Sequence, residues 1–128
     1  MICGLGTDIV KVERLKEMIE RYGNDFLEKI FTPAELKEAK KRRDPSEYYA
    51  GRWAVKEAVS KSMGCGIGEF CSWLDIETVN GVAGDPVVSV SGTGRKTFQK
   101  LGAETMHVSI SHEKEYATAT VILEKTTP

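Results

Sequence analysis

Residues 51–68, GRWAVKEAVSKSMGCGIG, constrain this chain most, because they write one helix that carries a carboxylate and several cations and then stops in three glycines. Wound at about 100° per residue, Ala54, Val55, Ala58, Val59 and Met63 form a buried stripe. Arg52, Lys56 and Ser60 fall in one exposed row, with Glu57 and Lys61 in the next. Gly64, Gly66 and Gly68 end the helix and leave backbone N–H groups free beside the cationic row. Such a face suits a phosphate accompanied by a metal ion. An amphipathic surface helix with a solvated Glu57–Lys61 pair accounts for the same pattern, so the rest of the chain has to decide.

The 128 residues predict one domain, 1–128, long enough to bury roughly two-thirds of its unfolded surface in a single core. Net charge is −1, yet residues 1–68 hold 13 Lys/Arg against 11 Asp/Glu and the remainder hold 5 against 8, so any basic surface is local. Bulk attraction to nucleic acid or membrane is therefore not expected. Cys3, Cys65 and Cys71 are odd in number and lack CxxC spacing, and the start of the chain carries no basic-then-apolar segment. These features predict a cytoplasmic protein without a disulfide framework. No apolar run approaches the ~20 residues that span a bilayer, and Thr126 to Pro128 is expected to fray.

Residues 2–10 read as a strand in which Gly4 and Gly6 permit close approach of another backbone and Asp8 is the only charge. Helical spacing follows from Lys11 to Tyr22, with Gly23 as the stop. Thr32-Pro33-Ala34-Glu35 is a capping box with proline at the first helical position, opening a short helix that ends in Lys40-Lys41-Arg42-Arg43. Asp44 to Glu47 restarts the chain into the long helix through Glu57. Beyond the glycines the period changes to alternation: residues 73–79, 86–90, 106–111 and 116–123 read as strands, with a short helix at 95–101 and the last two strands forming a hairpin. Helices gathered early and strands late predict an α+β fold, a mostly antiparallel sheet packed with one long helix and shorter ones.

The chain has no GxxxxGK[ST], no GxGxxG after a strand, no HExxH, no GxSxG and no zinc-like Cys/His spacing. Two acids remain, Asp8 and Glu57, among cations and a glycine turn, which suits metal-assisted chemistry on a phosphate-bearing ligand. Taken singly, each has an ordinary explanation: Asp8 bonded to backbone or to an arginine, His107, Ser109 and Ser111 as the polar side of a half-exposed strand, His112 at that strand's end. Lys40 to Arg43 reads equally as a solvated helix end or a phosphate grip. An RNA-binding role for it is disfavoured by the negative net charge and the lack of an aromatic-rich strand.

Gly4-Leu5-Gly6-Thr7-Asp8-Ile9-Val10, Phe31-Thr32-Pro33-Ala34-Glu35, Gly51 to Lys61, the glycine cluster and His107-Val108-Ser109-Ile110-Ser111-His112, in this order and over nearly the whole length, closely resemble the bacterial holo-[acyl-carrier-protein] synthases, the short 4′-phosphopantetheinyl transferases. The resemblance implies the phosphopantetheinyl transferase fold and a homotrimer with ligand clefts where subunits meet. It implies transfer of 4′-phosphopantetheine from coenzyme A to a serine of an acyl carrier protein, with release of adenosine 3′,5′-bisphosphate, in fatty acid biosynthesis. It places Mg²⁺ on Asp8 and Glu57, with Lys61 on the donor pyrophosphate as the third catalytic residue, beside Ser60, Gly64 and Gly66. Arg52 and the arginines Arg42 and Arg43 are the candidates for the 3′-phosphate, with Pro86, His107 and Ser109 lining the nucleotide cleft. Arg14 and Arg21 of the first helix are the docking residues for an acidic carrier. The base that takes the serine proton is left open between a metal-associated water and a carboxylate. The alternative is a catalytically inactive, nucleotide-binding trimeric scaffold of the same fold.

Overall fold

The computed structural model describes residues 1–126; of the end expected to fray, Thr127 and Pro128 lie outside the described residues. Thr126 itself is tied down, its amide and hydroxyl both donating to the Glu104 carboxylate. Five strands and four α-helices follow in the order β1 (Ile2–Lys11), α1 (Val12–Ile30), α2 (Pro33–Ala39), α3 (Ser46–Ser62), β2 (Ile76–Asn80), β3 (Pro86–Val90), α4 (Gly92–Lys100), β4 (Thr105–His112) and β5 (Tyr116–Glu124). The α+β expectation holds, as two antiparallel sheets: β1-β5-β4 and the separate hairpin β2-β3.

α3 is the axis of the molecule. Ala54, Val55, Ala58 and Val59 are fully buried, packed with Ala117, Ala119, Val121 and Leu123 of β5 in one core. The small residues that face one another let backbone come close. A Cβ on Gly6 would stand 2.0 Å from the Ala58 carbonyl oxygen, so β1 lies directly on the α3 backbone. At Thr32 the capping box is present in both directions, Thr32 Oγ1 accepting from the Glu35 amide and Glu35 Oε1 from the Thr32 amide.

Element boundaries differ from the sequence reading at three places. Gly23 does interrupt α1, with φ 61° and ψ −142°, but the helix resumes beyond it to Ile30. Trp73–Asp75 forms a 3₁₀ turn, not strand. α4 begins at Gly92 rather than Arg95, held by Asp75, whose Oδ2 accepts from Thr93 Oγ1 and the Gly94 amide.

Candidate active site

Because Gly4 and Gly6 seat β1 on α3, Asp8 arrives beside the C-terminal half of that helix. Lys61 Nζ lies 3.0 Å from Asp8 Oδ1 and 3.2 Å from the Thr7 carbonyl oxygen. Glu57, half-buried, sits one turn before Lys61. Burial, and then the neighbouring Asp8 charge, push the Glu57 carboxyl above its usual range, opposed by Lys61 and Arg14. The site thus holds two neighbouring carboxylates, one of them partly desolvated. That donor set fits Mg²⁺, which takes one or two carboxylates and fills its octahedron with water and substrate phosphate oxygens. Among the described residues no group of three or more His, Cys, Asp or Glu forms a self-sufficient metal cage.

The glycine turn closes α3 with left-handed residues, Gly64 at φ 78° and Gly66 at φ 68°. Its amides are not free, contrary to expectation. Gly64 N–H donates to Lys61 O at 2.9 Å, and Gly66 N–H to Ser60 O at 3.2 Å, because the last carbonyls of a helix need partners. What the glycines leave open is space: nothing lies within 4 Å of a Cβ built on either.

The exposed row expected from residues 52, 56 and 60 is buried. Arg52 is 8% exposed and Lys56 and Ser60 are fully enclosed. α3 packs against β1, β5, α1 and β2, so it has no broad solvent face on which to display cations. Ser60 Oγ instead donates to Glu57 O at 2.7 Å. Lys56 is enclosed by the Glu35 carboxylate and two backbone carbonyls, and burial holds its ammonium below its usual value while Glu35 opposes that shift.

At the other end of α3 a cavity of about 480 Å³ opens between the helix, the β2–β3 hairpin and β4. Arg42 and Arg52 stand on the Tyr48 ring, at 4.3 and 4.6 Å from its centroid. Arg52 Nη2 donates to Asn80 Oδ1 at 2.9 Å, while its buried Nε has no partner. Pro86 lines this cavity, as do Arg42, but not Arg43, and His112, whose Nδ1 meets Glu47. His107 and Ser109 do not line it within one chain. They stand on the open face of β4, where His107 Nε2 is 2.8 Å from Glu124 Oε1. His112 was legible only as the polar residue at a strand's end, and Asn80 only as a turn former.

Arg14 and Arg21 are both exposed on α1 and, with Met18, Tyr22, Glu17 and Glu20, line a shallow cavity of about 550 Å³. Arg14 also lies over the Trp53 ring, 6.0 Å from its centroid, which brings α1 close to Glu57.

The chain belongs to the 4′-phosphopantetheinyl transferase superfamily, whose family model matches residues 4–121. It is 41% identical over 124 residues to the holo-[acyl-carrier-protein] synthase of Syntrophus aciditrophicus (strain SB), covering 97% of each protein. Among solved structures it is similar to a holo-(acyl-carrier-protein) synthase from Bacillus anthracis str. Ames in complex with CoA (3′,5′-ADP), with TM-score 0.83, 39% identity and coverage of 98% and 99% of the two chains. It matches the Neisseria meningitidis holo-[acyl-carrier-protein] synthase at TM-score 0.90 and 34% identity, covering 98% of this chain and all of that one.

Proposed function

We propose that this chain transfers the 4′-phosphopantetheine arm of coenzyme A to a serine hydroxyl of an apo acyl carrier protein, releasing adenosine 3′,5′-bisphosphate, as a step in support of fatty acid biosynthesis. The observation that carries this reading is the convergence of Asp8, Glu57 and Lys61 from a strand and a helix brought together by Gly4 and Gly6. In the reaction the serine oxygen bonds to the phosphorus bearing the pantetheine arm, the bond to the bridging pyrophosphate oxygen breaks, and the serine proton is lost. Asp8 and Glu57 would hold a magnesium ion. When bound, that ion offsets the charge that grows on the leaving phosphate. Lys61, only partly buried and already beside Asp8, is placed to turn its ammonium to a pyrophosphate oxygen. Open space over Gly64 and Gly66 lets the ligand approach backbone there.

The cavity at Arg42, Arg52, Asn80, Pro86 and His112 is the nucleotide cleft, with Arg42 and Arg52 as the cations for its anion. Arg43 adjoins it as a further cation for the 3′-phosphate. Gly51 and Lys61 are ten residues apart on α3, about 15 Å along the axis, farther than one adenosine 3′,5′-bisphosphate reaches between its phosphates. Two such half-sites suit a ligand held between copies of the chain. The open face of the β1-β5-β4 sheet suits the same assembly: Leu5 and Ile9 are each 65% exposed, and Leu5, Ile122 and His107 fall on one cross-strand row, with Thr7, Thr120 and Ser109 on the next. We read it as the face of a homotrimer, built from the single domain 1–128, that brings His107 and Ser109 to a neighbour's cleft. Arg14 and Arg21 receive the acidic carrier.

Incubation with apo carrier, coenzyme A and Mg²⁺, followed by intact mass spectrometry, tests the reading. The carrier gains one phosphopantetheine mass, and a chelator prevents it. Unchanged mass across several acidic apo carriers would leave the inactive scaffold as the better account. Sedimentation as a monomer at assay concentration would refute the trimer.

A further inference from the structure

Lys56 is the neighbour of Glu57 in sequence, yet its side chain is fully buried on another face of α3. All three of its ammonium protons have acceptors: Glu35 Oε1 at 2.9 Å, Trp73 O at 3.0 Å and Ile76 O. Glu35 is as completely used, Oε1 also accepting from the Thr32 amide and Oε2 from the Thr78 amide, both at 2.9 Å. An apolar pair of equal volume would hold a core as well as a buried ion pair does, so stability alone does not account for it. What the charges supply is direction. β2 pairs with β3 along one edge only, and on its other edge the Ile76 carbonyl and the Thr78 amide are taken by Lys56 and Glu35, as a third strand would take them.

A lone two-stranded hairpin has little stability of its own, so its position relative to α3 depends on such anchors. Beyond Thr78 the same hairpin carries Asn80, Gly84 and Pro86, one wall of the cationic cavity; Tyr48, Gly51 and Arg52 of α3 form the other. Arg52, which bridges the walls through Asn80, precedes Lys56 by one helical turn.

We propose that Lys56 and Glu35 are positioning residues for the nucleotide half of coenzyme A, pinning the free edge of β2 to α3 so that the Asn80–Pro86 wall stands at the spacing the nucleotide needs. Neither residue touches the ligand, and the inference rests on the assignment of that cavity as the nucleotide cleft.

The test titrates full-length protein with adenosine 3′,5′-bisphosphate by calorimetry and measures KM for coenzyme A, KM for carrier and kcat. Lys56→Met leaves Glu35 unpaired, so the deciding variant is Lys56→Met/Glu35→Met, which buries no lone charge. With cooperative melting retained, its Kd for the bisphosphate and its KM for coenzyme A rise about tenfold or more, while the carrier KM is unchanged and kcat stays within about threefold. A changed melting temperature with native Kd, or equal losses in both KM values and kcat, would overturn the inference. Should the double variant fail to fold, Glu35→Gln decides: a rise of about threefold or more in Kd supports the positioning role and a native Kd overturns it. Arg52→Ala in the same titration separates the two assignments. If it leaves Kd unchanged, the cleft reading falls; if it weakens binding and the double variant does not, only the positioning role falls.

Discussion

Gly6→Ala is the substitution for which the structure sets the tightest expectation. The new methyl would lie 2.0 Å from Ala58 O, 2.6 Å from Ser62 N and 3.0 Å from the Ala58 carbonyl carbon, all of them backbone atoms that cannot turn aside. Ordinary contact begins at 3.4 Å, so β1 must retreat from α3 by more than about 1 Å. Overpacking of this kind costs about 1–3 kcal/mol, and with helix backbone as the obstacle the upper end applies. For a urea slope of about 1–3 kcal/mol/M, the unfolding midpoint falls by about 1–3 M. The same retreat carries Asp8, two residues on, away from Glu57, the residue before Ala58. A displacement near 1 Å at reacting groups costs about a hundredfold in rate, so the Mg²⁺-dependent transfer rate drops by about that factor even under conditions where the protein remains folded. Urea unfolding followed by circular dichroism, with transfer followed by carrier mass, reads both effects. Gly68→Ala is the stability control: nothing lies within 4 Å of its Cβ position, and its midpoint stays native. A Gly6→Ala protein with native midpoint and native rate would refute the backbone-on-backbone seating of Asp8.

Asp8→Ala and Glu57→Ala each remove most of the metal-dependent rate, and the double variant is scarcely slower than the poorer single one, because the two act on one ion; strictly additive losses in kcat/KM, with folding confirmed by circular dichroism, would show separate roles. Arg14→Glu raises KM for the carrier, most strongly at low salt, and leaves coenzyme A binding near native, as steady-state kinetics at two ionic strengths will show; equal losses toward both substrates would make Arg14 structural. Asp75→Asn lowers the melting temperature at pH 7, and the difference from the parent narrows as the pH falls below 3.8. Burial opposes ionisation of Asp75, but hydrogen bonds from the Ser72 amide, the Thr93 hydroxyl and the Gly94 amide outweigh it and hold its carboxyl below the usual range. A depressed folded value means stability that is present above the unfolded value and lost as pH drops through the folded one, so a gap that widened in acid would contradict the anchor.

The local grammar of the fold was legible where short-range chemistry decides it. The Thr32–Glu35 box names its own helix start, the change from helical to alternating period marks where helices give way to strands, and Gly4 and Gly6 announce a close backbone neighbour. Residues 24–30 were missed because Gly23 has the look of a terminator, and in isolation it would be one. In the chain, Phe26, Leu27 and Ile30 continue the apolar face against the core, and that tertiary burial restarts the helix after the break. Nothing in the residues 76–90 says that their strands pair only with each other. That depends on α3 and α2 occupying the far edge of β2, which is set by contacts 20 and 43 residues away in sequence.

The site divides along the same line. That Asp8 and Glu57 would come together with Lys61 was legible because each is the lone acid in an otherwise apolar or cationic stretch, and an isolated charge in such a place asks for a partner. The cations of α3 misled, since helical patterning assigns every charge to solvent, a rule that holds for a helix with one buried face. α3 buries 13 of its 17 residues. On such a helix the charged side chains divide by what can neutralise them. Lys61, near the frayable end, meets Asp8 and remains partly exposed. Arg52 meets Asn80 and the cavity. Lys56, at the middle, has only the core to enter, and it enters because Glu35 is already there, held by the amide of its own helix cap. The capping box that the sequence displayed as a helix start thus also supplies the counterion that lets Lys56 lie next to Glu57 in the chain while pairing with Glu35 instead.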